Sequence, residues 1–173
     1  MKTSTRHNYV NYYFAYGSNM NPDRMRARGI DFREAVAASL LDFKLVFNKQ
    51  ATAKPGIAYA NVAYARGECV EGVVYRLATA EDITLMDPFE GSPVRYSREV
   101  YSLHTSVGLI HAWVYVANKA MLKEGLLPER NYLNHLLAGK AWHSEAYHQR
   151  LLNEPCVDST VDNSGKDGLI YNV

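Results

Sequence analysis

The chain has 173 residues, with 19 Lys+Arg against 18 Asp+Glu and 47% hydrophobic residues, a size and make-up that suit one domain with its own core. A charged fraction of 21% excludes a largely disordered or collagen-like polymer. The formal net charge of +1 lacks the basic excess expected of a nucleic-acid binder, and no run approaches the ~18 uninterrupted apolar residues of a membrane helix. Cys69 and Cys156 lie far apart without C-x-x-C spacing and read as two reduced thiols. Met1 to Tyr13 has no apolar signal-peptide core. The expectation is a cytoplasmic protein with no nucleic-acid or membrane partner.

In chain order, Tyr12-Tyr13-Phe14-Ala15-Tyr16 reads as a buried strand running into a tight loop at Gly17-Ser18-Asn19. Asn21-Pro22-Asp23 then has the form of a helix start, with Asn as N-cap, Pro at the first helical position and an acid in the first turn. Gly29 stops that helix near Arg28. From Ala35 to Arg76 the pattern is mostly strand, with segments at Phe43–Phe47, Ala58–Tyr64 and Val70–Leu77, turns at Pro55-Gly56 and Arg66-Gly67, and Gly72 as a bulge. Thr79 and Asp82 resemble a capping box opening a helix that ends around Asp87-Pro88.

Beyond the loop Glu90-Gly91-Ser92-Pro93, the segments Tyr96 to His104 and Leu109 to Ala117 read as a hairpin around a three-residue Ser106-Val107-Gly108 loop. Helices are expected over Glu129–Ala138 and Ser144–Asn153. With no internal repeat or linker, residues 1–173 read as a single domain with its core at about 12–153 and a flexible or surface-draped tail at 154–173. Short strands with a few helices and no regular β-α-β alternation give an α+β class built on a strongly curved sheet or small barrel.

Several chemistries have no motif to stand on: G-x-G-x-x-G, a Gly-Lys-Ser/Thr phosphate loop, H-E-x-x-H and G-x-S-x-G are all missing. The six histidines form no ligand cluster, since His143 and His148 are spaced off a common helix face, so no metal is expected. Gly17-Ser18-Asn19, between strand and helix, would present several backbone N–H groups together, a plausible cradle for a carboxylate or phosphate. The ordinary alternative is a turn that uses Gly and Asn for their backbone tolerance. Pro88, Gly91 and Pro93 restrain Glu90 beside Phe89, where partial desolvation would suit a general base; the ordinary alternative is a solvated loop carboxylate. Glu81, Glu99 and Glu124 are similarly or less eligible, so nothing local singles out Glu90 decisively. Of the 13 tyrosines, Tyr96, Tyr115 and Tyr132 could bring hydroxyls to a polar pocket or equally serve as core aromatics.

Taken together, Tyr13-Phe14-Ala15-Tyr16-Gly17-Ser18-Asn19-Met20 followed by Phe89-Glu90-Gly91 resembles the γ-glutamylcyclotransferase family, including its AIG2-like members. Asp42-Phe43-Lys44-Leu45, Gly72-Val73-Val74-Tyr75, Tyr96, Tyr115 and Pro128 to Leu137 with Tyr132 match in order, so the likeness spans Tyr12 to Leu152. The glutathione-specific branch typically carries Y-G-S-L at this loop, and Asn19-Met20 points away from it. The resemblance implies a compact mixed β-barrel with flanking short helices and a pocket lined by Tyr13, Phe14, Ala15, Tyr16, Gly17, Ser18 and Asn19. It further implies that the amides of Gly17 and Ser18 hold the α-carboxylate of a γ-glutamyl group. Glu90 would be the general acid/base, Tyr132 a further substrate contact, and Tyr96 and Tyr115 secondary pocket residues. No metal or organic cofactor is implied.

The implied reaction is attack of the substrate α-amine on its own γ-carbonyl, releasing 5-oxoproline and an amine or amino acid whose identity the sequence leaves open. A non-catalytic module binding a carboxylate-bearing metabolite is the alternative, and an interaction role for Tyr9, Tyr12 and Tyr13 a weaker one. Symmetric dimers are the commonest oligomers, so a homodimer is the expectation if the chain associates.

Overall fold

The computed structural model describes residues 10–159. Five strands close into a barrel in the order β1-β3-β2-β4-β5: β1 Tyr12–Ala15, β2 Phe32–Gln50, β3 Ala58–Leu77, β4 Tyr96–Thr105 and β5 Gly108–Ala117. Four short helices flank it: α1 Pro22–Ala27, α2 Ile83–Glu90, α3 Arg130–Leu137 and α4 Glu145–Leu152. This is the mixed barrel with flanking short helices that the sequence led us to expect. No helix among the described residues is long and apolar enough to cross a membrane.

The barrel rests on one long antiparallel ribbon, β2 against β3, paired from Phe32↔Leu77 to Gln50↔Ala58. It bends at register shifts between Leu41 and Phe43 and between Phe47 and Lys49. Bulges of this kind let a strand curve without losing its partner. The hairpin β4–β5 pairs with the middle of β2 through Ala38↔Thr105 and Ser39↔His104. β1 then closes the ring, antiparallel to β3 and parallel to β5 at Tyr13↔Trp113.

Several sequence readings are corrected. The three middle strand segments are parts of two long strands, and Arg66-Gly67 is no turn. Gly67 (φ 81°) lies opposite Asp42 (φ 61°), whose Oδ1 accepts its N–H at 2.8 Å. A bulge and a turn draw on the same left-handed backbone, so the residue types alone did not separate them. Gly72 pairs in register with Ala38 and is no bulge; a Cβ there would stand 2.3 Å from the Ala15 carbonyl oxygen and 2.9 Å from the Phe14 ring. The hairpin loop has two residues, because Gly108 (φ 110°) already pairs with Thr105.

Finally, α2 runs through Pro88 to Glu90. Proline removes a single ladder bond, and Gly91 in the left-handed conformation (φ 62°) closes the helix instead, with Ser92 N–H returning to Asp87 O at 3.0 Å. Thr79 and Asp82 do bond each other, at 2.9 Å, but Asp82 makes no side-chain bond to the helix it precedes. Elsewhere the local signals hold: Asn21 caps α1 by accepting Asp23 N–H at 3.0 Å, and Ser144 caps α4 by accepting from Tyr147. Residues 160–173 of the expected tail lie outside the described residues; before them, Val157 bridges to Glu129.

Because the atom facing Gly72 is backbone, Gly72→Ala forces β1 and β3 apart. The expected loss is about 1–3 kcal/mol, toward the upper end, read as a lower midpoint in denaturant unfolding.

Candidate active site

The site sits where β1 leaves the barrel. The chain turns at Gly17, makes a single 3₁₀ turn over Ser18–Met20, and enters α1. The N–H groups of Ser18 and Asn19 stand at the open start of that turn, where no carbonyl of the same turn can reach them. Gly17 fits closely: a Cβ there would lie 3.1 Å from the Tyr132 hydroxyl and 3.4 Å from Ala60 Cβ, so those side chains would have to give by a few tenths of an ångström.

Facing this loop, the last residue of α2 is Glu90, only 6% exposed. A buried carboxylate needs donors, and two converge on its Oε1: Asn19 Nδ2 at 3.0 Å and the Arg28 guanidinium at 3.4 Å. Arg28 also donates to Asn19 Oδ1 at 2.9 Å and lies over the Phe89 ring, 4.6 Å from its centroid. Arginine only donates and a carboxylate only accepts, so chemistry alone sets the Asn19 amide orientation: oxygen to Arg28, nitrogen to Glu90. Tyr75 holds the Asn19 backbone by donating to its carbonyl at 2.8 Å. The loop, the end of α1 and the end of α2 are thereby locked together.

A small, partly open cavity lies between these elements, lined by Tyr13, Tyr16, Gly17, Ser18, Asn19, Ala60, Glu90, Tyr96, Tyr115 and Tyr132. Burial pushes the hydroxyls of Tyr13, Tyr16 and Tyr96 well above the usual phenol range; the Glu90 charge adds to this directly at Tyr13 and Tyr16 and more weakly at Tyr96. Across the neutral range they are protonated donors. Most are already engaged: Tyr16 donates to the Tyr115 carbonyl, Tyr96 to Ala60 O at 2.9 Å, and Tyr115 to Asp87 Oδ1 at 2.6 Å. Tyr132 accepts the Ala60 N–H at 3.0 Å. Tyr13 accepts from Asn19 Nδ2 at 2.9 Å, and its own hydroxyl proton has no acceptor among the described residues. Asp87, paired with Arg98 at 3.3 Å, anchors α2 to the barrel wall.

Eight of the residues expected at the site therefore meet around one cavity together with Glu90. Phe14 and Ala15 do not line it; they are fully buried in the barrel, where Phe14 packs toward Gly72. Tyr13 is 4% exposed, which removes it from any interaction surface, and Tyr9 lies outside the described residues. Arg28, Asp87, Ala60 and Tyr75 were not singled out by sequence: an arginine at a helix end, an alanine in a strand and an acid before proline carry no signal of their own. Among the described residues no three His, Cys, Asp or Glu side chains are placed to hold a metal ion.

A barrel of this order with a buried acid facing a Y-G-S-N loop defines a class, and the comparisons give its name. Residues 13–144 match the family model described as γ-glutamyl cyclotransferase, AIG2-like, and the chain belongs to that family. A solved structure named γ-glutamyl cyclotransferase superposes with TM-score 0.73 at 24% identity, covering 90% of this chain and 94% of its own. An uncharacterised protein from Homo sapiens gives 0.75 at 25%, with the same coverage. A yeast γ-glutamyl cyclotransferase specific to glutathione gives 0.61 at 12%, covering 82% and 93%. No curated protein matches the chain in sequence.

Arg28→Met would leave Glu90 buried without its cation, a change that typically costs about 3–5 kcal/mol. The expected result in denaturant unfolding is a large loss for Arg28→Met and partial recovery in Arg28→Met/Glu90→Gln. A double variant no more stable than the single one would show that the pair does not govern stability.

Proposed function

We propose that the protein is a γ-glutamylcyclotransferase that releases 5-oxoproline from a γ-glutamyl amino acid or γ-glutamyl amine, with Glu90 as general acid/base and no metal or organic cofactor. One observation carries this reading beyond family membership: a buried carboxylate, fixed through one oxygen by Arg28 and Asn19, is itself a wall of a partly open cavity. A carboxylate serving only as structural glue has no need to face an empty space.

The chemistry follows from these parts. The α-ammonium of the substrate gives a proton to Glu90, and the freed amine attacks the γ-carbonyl carbon. A C–N bond forms, closing the five-membered ring, and the carbonyl pair moves onto oxygen. Collapse of this intermediate breaks the original C–N bond as Glu90 returns the first proton to the departing amine; the second proton of the ring nitrogen follows through Glu90, so the lactam keeps one N–H and the amine leaves as an ammonium. The uncommitted hydroxyl proton of Tyr13 and the open amides of Ser18 and Asn19 are the donors available to the oxyanion and to the α-carboxylate. A cavity walled by rigid tyrosines favours the curled chain over the extended one, and orientation of that kind can supply several kcal/mol, with about 7–11 as an upper range. Asn19-Met20 in the loop disfavours glutathione as the substrate.

The test is 5-oxoproline release from a γ-glutamyl amino acid, a γ-glutamyl-ε-lysine, a γ-glutamyl polyamine and glutathione. Turnover of a panel member other than glutathione, reduced roughly 10²–10⁴-fold in a folded Glu90→Gln variant, is the expected outcome. Wild-type rates in Glu90→Gln would remove Glu90 from the mechanism. A folded protein that binds these compounds without turning any over would instead be the binding module.

A further inference from the structure

Lys49 has no place in the account so far. It follows the bulge at Phe47 in β2, its side chain is fully buried, and its ammonium has no hydrogen-bond acceptor among the described residues. The Nζ atom lies over two aromatic faces, 5.1 Å from the Tyr59 centroid and 5.5 Å from that of Tyr96. Tyr59 packs on Tyr132 at 5.1 Å, and Tyr96 and Tyr132 are both walls of the cavity. The ammonium therefore rests against the ring of Tyr96, which also walls the cavity, without itself lining it. Such a charge is expensive to bury, and a methionine of similar shape would fill the space without that cost. Nothing in the packing calls for it.

We propose that Lys49 is a positioning residue whose buried positive charge, acting through the Tyr96 ring, stabilises the negative charge that develops on the γ-carbonyl oxygen in the cavity. The proposal rests on the cyclisation described above. In a water-poor interior the field of a fixed charge is weakly screened and needs no reorganisation as the oxyanion forms. No bond to substrate is required. The proton traffic stays with Glu90, and Lys49 contributes only while it is charged.

That condition makes the role measurable. Burial first, and then the Arg95 charge, lower the Lys49 amine to about 8, with Glu90 pulling the other way. The titratable and charged groups facing it are Tyr59 from β3, Arg95 and Tyr96 at the start of β4, and Glu90 from α2. The two tyrosines have raised pKa values and stay neutral in this range. Because the lysine is cationic below its pKa, its contribution is full at neutral pH and is lost as pH rises through about 8. Titration of the substrate amine acts in the opposite direction, since higher pH frees the nucleophile.

The experiment is the pH profile of kcat and kcat/KM for 5-oxoproline release by the wild type, Lys49→Met and Lys49→Arg, on whichever panel substrate turns over. The wild type should show an alkaline fall near pH 8. Lys49→Met should lose roughly 10–100-fold in kcat with little change in KM, and lose that limb. Lys49→Arg, charged up to about pH 12, should retain most of the rate and carry the limb out of range. NMR titration of labelled lysine in the wild type gives a check independent of any variant: the Lys49 ammonium must titrate where the rate falls. A Lys49→Met profile with unchanged kcat and limb, or a Lys49 resonance titrating with ordinary surface lysines, overturns the proposal while leaving the cyclotransferase reading intact. Absence of wild-type turnover on every substrate overturns both.

Discussion

A carboxylate taken out of water has to be met by charge and by hydrogen bonds, and at Glu90 that requirement ties together three separate parts of the chain. Asn19 comes from the loop after β1, Arg28 from the end of α1, and Glu90 from the end of α2, with 71 residues between the first and the last. None of these elements is long enough to hold its position alone: α1 has six residues and α2 eight. What fixes them is the shared acceptor Oε1, the Asn19 amide that both gives and takes, and Tyr75 reaching from the barrel floor to the Asn19 carbonyl. The barrel supplies the frame, and the ion pair decides where the loops come to rest on it.

The tyrosines perform a second task with the same economy of means. Each brings a large apolar ring that excludes water and one hydroxyl that has to be satisfied. Tyr16, Tyr96, Tyr115 and Tyr132 satisfy theirs on backbone groups or on Asp87, which pins adjacent strands and helices to one another around the cavity. Their raised pKa values are a consequence of this burial, so the wall stays uncharged across the neutral range. Tyr13, which accepts from Asn19, leaves its own hydroxyl proton without an acceptor among the described residues.

Local signals in the sequence carried as far as local physics reaches. Asn21-Pro22-Asp23 announced a helix start because capping is decided within a few residues, and the aromatic run at Tyr12–Tyr16 announced a buried strand because its side chains allow little else. Gly67 and Gly72 were misread for a related reason. A glycine signals that something special happens to the backbone, but whether it is a turn, a bulge or the close passage of another strand depends on residues distant in sequence, here Asp42 and Ala15. Glu90 was not decisively better than Glu81, Glu99 or Glu124 on local grounds, and only the resemblance singled it out. Arg28 and Lys49 were invisible, since what distinguishes them is burial, and burial of a cation at the end of a short helix or near the end of a long strand leaves no periodic trace.

Those two cations show how differently a buried charge can be accommodated. Arg28 touches its counter-charge, stacks on Phe89 and hydrogen-bonds Asn19, so its removal strands an anion and unpicks the loop. Lys49 touches no anion among the described residues; aromatic faces and the more distant Glu90 charge answer it, and the faces return a fraction of what water would supply. By the logic of stability Arg28 is needed once Glu90 is present, whereas Lys49 is a liability that an apolar side chain would relieve. A fold under marginal stability retains such a liability most readily where something other than the fold benefits. In the cavity that Tyr96 helps to wall, negative charge would have to appear and vanish within one reaction cycle, and a positive charge already in position is the kind of device that cannot be recruited from solvent at that moment.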